Sequence, residues 1–356
     1  MTYPLEIARS FSGTEILDVS RHGRGLINDT YLATERGGGR FILQRINPNA
    51  FPEPMRVMQN LRTLLNHIRS ARLPDSTLRF PEIRATRDHL DWHRDADGQL
   101  WRALEYIDHS RSLAGLQQAQ QAEALGAALG EFHSLLADLD PATLHVTLPG
   151  FHVTSRYLAR YDTLRADNID ASVEKCRSFI EARRAFASTL DQACARGELR
   201  QRPTHGDPKL DNFLFAENED RVLSIIDLDT VQPGLIHHDL GDCLRSACNP
   251  AGECPADPGT VRFDIDLARA ILRGYLGKAR RFLTATDSLY LYDAIRLLPL
   301  ELGLRFFTDH MEGNRYVRVS EPGQNLRRAE TQFALCASIE AHETELRELL
   351  REETKT

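Results

Sequence analysis

Two polar segments set among apolar runs restrict this chain more than any other feature. Residues 204–212 read Thr-His-Gly-Asp-Pro-Lys-Leu-Asp-Asn, and residues 225–229 read Ile-Ile-Asp-Leu-Asp. Phosphoryl transfer asks for such residues: a carboxylate beside the attacking hydroxyl, and oxygen ligands for divalent cations that bridge the phosphates. An Asp five residues before an Asn on one loop lets Asp207 face an acceptor while Asn212 turns back to a cation. Asp227, at the end of the β-rich run 222–226, supplies a charged cation ligand. Asp229 is read equally as a second ligand and as a loop brace. His205 is expected to pack and hydrogen-bond rather than to touch substrate, and Asp239 and Asp242 are read as structural.

The flanking sequence divides into a strand-rich part and a helical part. Runs 15–21, 27–34 and 41–46 are short and β-rich, with three glycines in 35–40 suited to a hairpin turn. Met58, Leu61, Leu65 and Ile68 then recur at helical spacing behind Pro54, a proline tolerated in a first turn. Two further strand-like runs, 82–86 and 99–107, end this part, for which 1–108 is the expected extent. Beyond it the pattern turns helical, with helices expected over 117–139, 154–165, 172–196, 262–276, 288–307 and from about 326 onward. The charged end of that last helix reads as a solvated face.

Bulk properties exclude several classes. The formal charge of −7 and a pI near 6.0 argue against a general nucleic-acid binder, which needs a basic face. The start has no secretory pattern and no stretch reaches the length of a membrane span, so a cytoplasmic protein without a membrane partner is expected. Cys243, Cys248 and Cys254 lie close to His237 and His238, but lack the paired spacing of structural zinc and are read as ordinary thiols. Nothing in the sequence fixes an oligomeric state; a monomer suffices.

A nucleotide site is expected in the first part. The turn 22–28, His-Gly-Arg-Gly-Leu-Ile-Asn, can bring backbone amides over phosphates because glycine permits close approach, which makes Gly25, Asn28 and Thr30 candidates. The connection 104–107 is the natural hinge, with backbone groups of Glu105 and Ile107 available to adenine.

The two motifs together resemble those of protein kinases, and in the His-Gly-Asp and Ile-Asp-x-Asp form they resemble the aminoglycoside phosphotransferase and choline kinase superfamily. The resemblance implies an α+β, protein-kinase-like two-lobed fold: a small antiparallel β lobe, 1–108, binding nucleotide, and a larger, mainly α-helical lobe, 109–356, carrying catalysis and substrate binding. It implies ATP and Mg2+ as cofactors, Asp207 as the group that orients and deprotonates the acceptor, and Lys209 as the cation that stabilises the transferring phosphoryl group. The third strand of such folds offers a lysine to the phosphates. Here it reads Phe-Ile-Leu-Gln-Arg, leaving Arg45 as the candidate, with Gln44 as the alternative inward-facing residue; no partner glutamate is evident on the following helix.

Further stretches are similar to bacterial N-acetylhexosamine 1-kinases: 25–31, 41–47, 205–212, 226–234, 239–245 and 305–316. That likeness implies a sugar acceptor, with Arg305 and Tyr316 as candidates to hold it. A kinase for choline, homoserine or an aminoglycoside is the same-fold alternative, and a nucleotide-binding pseudokinase sensor is the alternative from another class.

Overall fold

The computed structural model describes residues 3–23, 25, 27–71, 76–164 and 171–355. It opens with helix α1 (Tyr3–Ser10), which the sequence reading did not anticipate. Too short to stand alone, α1 is held by Ile7 and Ala8, which join Phe11 and the sheet residues Phe41, Leu43 and Trp101 in one buried cluster. Strands β1 (Ile16–Arg21), β2 (Asp29–Glu35) and β3 (Arg40–Arg45) follow as an antiparallel meander. The hairpin between β2 and β3 has Gly37 and Gly38 at φ of 98° and 89°, a region that other residues rarely enter.

Helix α2 (Pro54–Ala71) comes next, then β4 (Ile83–Arg84), β5 (His93–Arg94) and β6 (Leu100–Glu105). The sheet order is β1-β2-β3-β6-β4, with β5 on β6. The expected run 82–86 forms only a two-residue strand: Glu82 still accepts from the Glu105 N–H of β6, but the Thr86 N–H turns to the Leu90 carbonyl oxygen of the following loop. The apolar stripe of α2 serves two cores: Val57 and Met58 lie with Ile46 and Phe51, whereas Leu61, Leu64 and Leu65 enter the large helical core.

Past β7 (Ser110–Arg111) the chain forms α3 (Ala119–Leu135), α4 (Thr154–Asp162), α5 (Ala171–Arg183) and α6 (Thr189–Ala195). The single helix expected over 172–196 is two, because the bend after Arg183 returns Ala187, Leu190 and Ala193 to the core that holds Val173, Cys176 and Ile180. Residue 165, the expected end of the preceding helix, lies outside the described residues, as do Arg24 and Leu26 of the glycine turn. Strands β8 (Arg202–Thr204), β9 (Phe213–Ala216), β10 (Val222–Ile225) and β11 (Gln232–Gly234) carry the two motifs: β9 pairs with β10 and β7, and β8 with β11.

The rest is helical: α7 (Ile236–Ala247), α8 (Ile265–Ala279), α9 (Ala285–Leu289), α10 (Leu291–Met311), α11 (Gln324–Ala341) and α12 (Glu343–Lys355). Two expected helices are each interrupted once, at Tyr290 and at His342, and α7 lies where no helix was assigned. Helices α3 and α8 cross with almost no spacing, since a Cβ on Gly126 would stand 1.9 Å from the carbonyl oxygen of Ile271. Among the described residues no helix is long and apolar enough to cross a membrane. Cys243 and Cys248 are buried core thiols.

Candidate active site

The loop after β8 is shaped by hydrogen bonds rather than by packing alone. Gly206 has φ of 85°, and a Cβ there would meet the Thr230 carbonyl oxygen at 2.8 Å. The fully buried Asp239 carboxylate accepts the backbone N–H groups of His205 at 2.7 Å and Gly206 at 2.9 Å, and it also meets His133 Nε2 at 2.9 Å. His205 Nε2 bonds to the Ile226 carbonyl oxygen at 3.0 Å, and its Nδ1 accepts the Asp207 N–H at 3.2 Å. The histidine therefore joins the two motif segments, and Asp239 braces the first of them.

Asp207 and Lys209 are half-buried and form an ion pair. Burial opposes ionisation of Asp207, but Lys209, and after it His205 and Arg245, hold its carboxyl below the usual carboxylate range. Asn212 donates from Nδ2 to the Asp207 carbonyl oxygen at 2.7 Å and to its Oδ2 at 3.3 Å, leaving its own amide oxygen to another partner. The Ile226 N–H donates to the Asn212 carbonyl oxygen at 2.9 Å, which sets the Asp227 segment beside Asn212.

Asp227 itself is left-handed, φ 62° and ψ 54°, and keeps an open face to solvent. Its carboxyl is pushed up to about 6, first by desolvation from the chain packed around its inner side and then by the charges of Asp229 and Asp207. Among the described residues no three His, Cys, Asp or Glu side chains gather into a metal-ligating group, but the Asp227 carboxylate and the uncommitted amide oxygen of Asn212, on segments joined by the Ile226–Asn212 backbone bond, are hard oxygen donors of the type divalent cations prefer. A divalent cation fits the site on that ground.

Asp229, by contrast, is only 3% exposed and fully engaged: it forms an ion pair with Arg102 of β6, and Asn28 Nδ2 donates to it at 2.6 Å. Arg102 was not a sequence candidate, because an arginine in a β-run reads as solvent-facing. Its cross-strand neighbour is Gln44. Successive strand residues face opposite sides, so Arg45 points the other way and pairs with Asp29; the structure does not bring it to the Asp227–Asp229 group. Thr30 accepts from Gln44 Nε2 at 3.1 Å.

Gly25 stands in open space within the turn. His22, at the start of that turn, meets the hinge residue Tyr106 edge to face at 5.9 Å. Glu105 of the hinge pairs with Arg79, and Ile107 is buried.

The structure brings Arg305 and Tyr316 together. A pocket of about 80 Å³ is lined by Tyr157, Arg305, Thr308 and Tyr316, among others. The Arg305 guanidinium lies over the Phe151 and Tyr157 rings at 5.4 and 5.3 Å. Next to Phe151, His152 bonds through Nε2 to the Gly206 carbonyl oxygen at 2.8 Å and through Nδ1 to Glu301 at 2.8 Å, so a chain of contacts runs from Arg305 through Phe151 and His152 to the Asp207 loop. Burial disfavours charge on Glu301, yet His152 and then His238 and Arg305 hold its carboxyl down to about 2.

Since the unfolded value of Glu301 is higher, its charge stabilises the fold above about pH 4.5, and that contribution is lost as pH falls towards 2. Glu301→Gln is expected to lose about 3 kcal/mol at neutral pH, with the gap to the parent narrowing below about pH 4.5. Urea unfolding at pH 7, 5 and 4 checks this; an equal gap at all three would contradict the ionised pair.

Residues 18–285 match the model of the phosphotransferase enzyme family, APH. Among solved structures, the chain is similar to an aminoglycoside phosphotransferase from Alicyclobacillus acidocaldarius, at 17% identity and a TM-score of 0.67, over 98% of this chain and 96% of that one. A microcompartment-associated aminopropanol kinase aligns at 15% identity and a TM-score of 0.63, over 96% and 98% of the two chains. An amicoumacin kinase described with AMP-PNP and Ca2+ aligns at 14% identity and a TM-score of 0.61, over 93% and 92%. The α+β, kinase-like two-lobed fold expected from the sequence is the fold observed, and with more than half its length inside the family model this chain belongs to the APH phosphotransferase family, enzymes that act on hydroxyl groups of small molecules.

Proposed function

We propose that this phosphotransferase uses ATP and Mg2+ to phosphorylate the anomeric hydroxyl of an N-acetylhexosamine, giving the sugar 1-phosphate. Residues 1–108 would bind the nucleotide under the glycine turn and against the hinge, and 109–356 would supply the acceptor pocket. Asn212 and Asp227 are the cation ligands in this reading, and a cation held there would neutralise charge on the phosphates. Asp229, spent on Arg102 and Asn28, serves as the brace of the loop.

Asp207 is the residue that acts on the acceptor. Held ionised by Lys209, it accepts the hydroxyl proton and orients the oxygen, while Lys209 offers its charge to the transferring phosphoryl group. Asn212 fixes the Asp207 carboxylate by its hydrogen bond, so little reorganisation is needed at the moment of reaction.

The observation that carries the sugar reading is the pocket in which Arg305 lies over the Tyr157 ring, joined through Phe151 and His152 to the Gly206 carbonyl oxygen of the Asp207 loop. The pocket sets Arg160 and Arg305 against Asp309 and Glu312, a balanced charge that suits a neutral, hydroxyl-bearing ring better than a polycationic amine, and Tyr157 and Tyr316 offer it aromatic faces. The amicoumacin kinase described with AMP-PNP and Ca2+ supports a nucleotide triphosphate and a divalent cation for this fold. An enzyme that positions one oxygen loses its acceptor when that oxygen is methylated. ADP release is therefore expected with N-acetylglucosamine or N-acetylgalactosamine and not with the methyl glycoside. Equal release with both refutes phosphorylation at the anomeric oxygen, and release only with choline, homoserine or an aminoglycoside selects another acceptor class.

A further inference from the structure

Arg102 is 1% exposed in the middle of β6. Its Nε and Nη2 donate to the Gln44 amide oxygen at 3.0 and 2.7 Å, Nη2 also pairs with Asp229, and Nη1 is buried without a hydrogen-bond partner. Thr30 fixes the Gln44 amide by accepting from its nitrogen at 3.1 Å, which leaves the amide oxygen facing the guanidinium. Stability alone does not explain such a group. A buried ion pair is often matched or exceeded by apolar residues of similar volume, and a buried N–H with no partner subtracts further.

What Arg102 grips does explain it. Asp229 is two residues from Asp227, whose backbone is left-handed. Three side chains from the first part of the chain hold this short segment: Asn28 and Arg102 on Asp229, and Asn60 of α2, which donates to the Val231 carbonyl oxygen at 2.9 Å.

Protein kinases require an ion pair between a third-strand lysine and a glutamate on the helix that follows. Here the third strand offers Gln44, and α2 contains no acidic residue. We propose that Arg102 supplies the missing cation from the neighbouring strand, and that its ion pair with Asp229 positions Asp227 for the cation and phosphate side of the cleft. Gln44 is then not an eroded lysine but the residue that aims the arginine. The inference rests on the phosphotransferase reading with Asp227 as a cation ligand.

The test is nucleotide binding rather than turnover. Binding of a fluorescent ATP analogue to the full chain is titrated with Mg2+, alongside melting temperature, for Arg102→Lys, Asp229→Asn and the double variant. Arg102→Lys keeps the charge and loses the fork, so it remains testable where Arg102→Met fails to fold. Each single variant is expected to raise the half-saturating Mg2+ concentration by about 10- to 100-fold, the scale of losing a residue that orients a ligand. The double variant is expected to be no worse than the more damaged single, since both remove one interaction.

Gln44→Lys is expected to impair cation-dependent binding, because it sets a second cation against Arg102. Wild-type Mg2+ dependence in both singles, with only the melting temperature lowered, would make the pair a structural brace and overturn the proposal. Additive effects, or improved binding in Gln44→Lys, would overturn it as well. A parent protein with no cation-dependent nucleotide binding would sink the kinase reading along with it.

Discussion

Asp207→Asn is expected to lower turnover by about 10^2- to 10^4-fold while leaving the melting temperature nearly unchanged. The size follows from what the substitution removes: the proton acceptor and the charge that orients the hydroxyl, with no change of volume. The small effect on stability follows from the surroundings. The loop is shaped by Asp239 on the His205 and Gly206 N–H groups, and neither bond involves the Asp207 side chain. Lys209 loses its partner but is half-exposed and keeps water. Steady-state kinetics with thermal melting separate the two effects. A variant that no longer folds would make Asp207 structural, and one that keeps full turnover would end its role as base.

Asp227→Ala is expected to weaken divalent-cation-dependent nucleotide binding by about 100-fold or more, since residues that merely orient a ligand are already worth roughly 10- to 100-fold. Because Asp227 is left-handed, alanine there also adds backbone strain of about 1 kcal/mol. Asp227→Asn, which tolerates that conformation, isolates the loss of charge. Both variants should bind nucleotide alike without the cation and differ from the parent only when it is added. Parent-like cation dependence in both would move the ligand role away from Asp227.

The groups proposed to react lie on two short segments whose spacing is itself the signal in the sequence, and the structure brings them together. His205, Asp207, Asn212 and Asp227 meet in space through local bonds, such as the His205 ring on the Ile226 carbonyl oxygen. Arg102 was invisible for the opposite reason. It meets Asp229 across the chain, and nothing in a β-run marks an arginine as buried. Arg45 was preferred over Gln44 for its charge, whereas strand alternation decides which one faces in. Helix α1 spans only eight residues, too short a window for its apolar spacing to stand out, and α7 was hidden inside a stretch read for its acids rather than for its helix. The bend at Arg184 returns the chain to the same core that α5 enters, a property of tertiary packing that local pattern does not hold.

The most direct test of the central claim is phosphorus NMR of the product formed from ATP, Mg2+ and N-acetylglucosamine or N-acetylgalactosamine. The account predicts a new phosphate monoester resonance coupled to the anomeric proton, formed by the parent and lost in Asp207→Asn. A resonance assigned to phosphate on O6, or inorganic phosphate as the sole product, would contradict it.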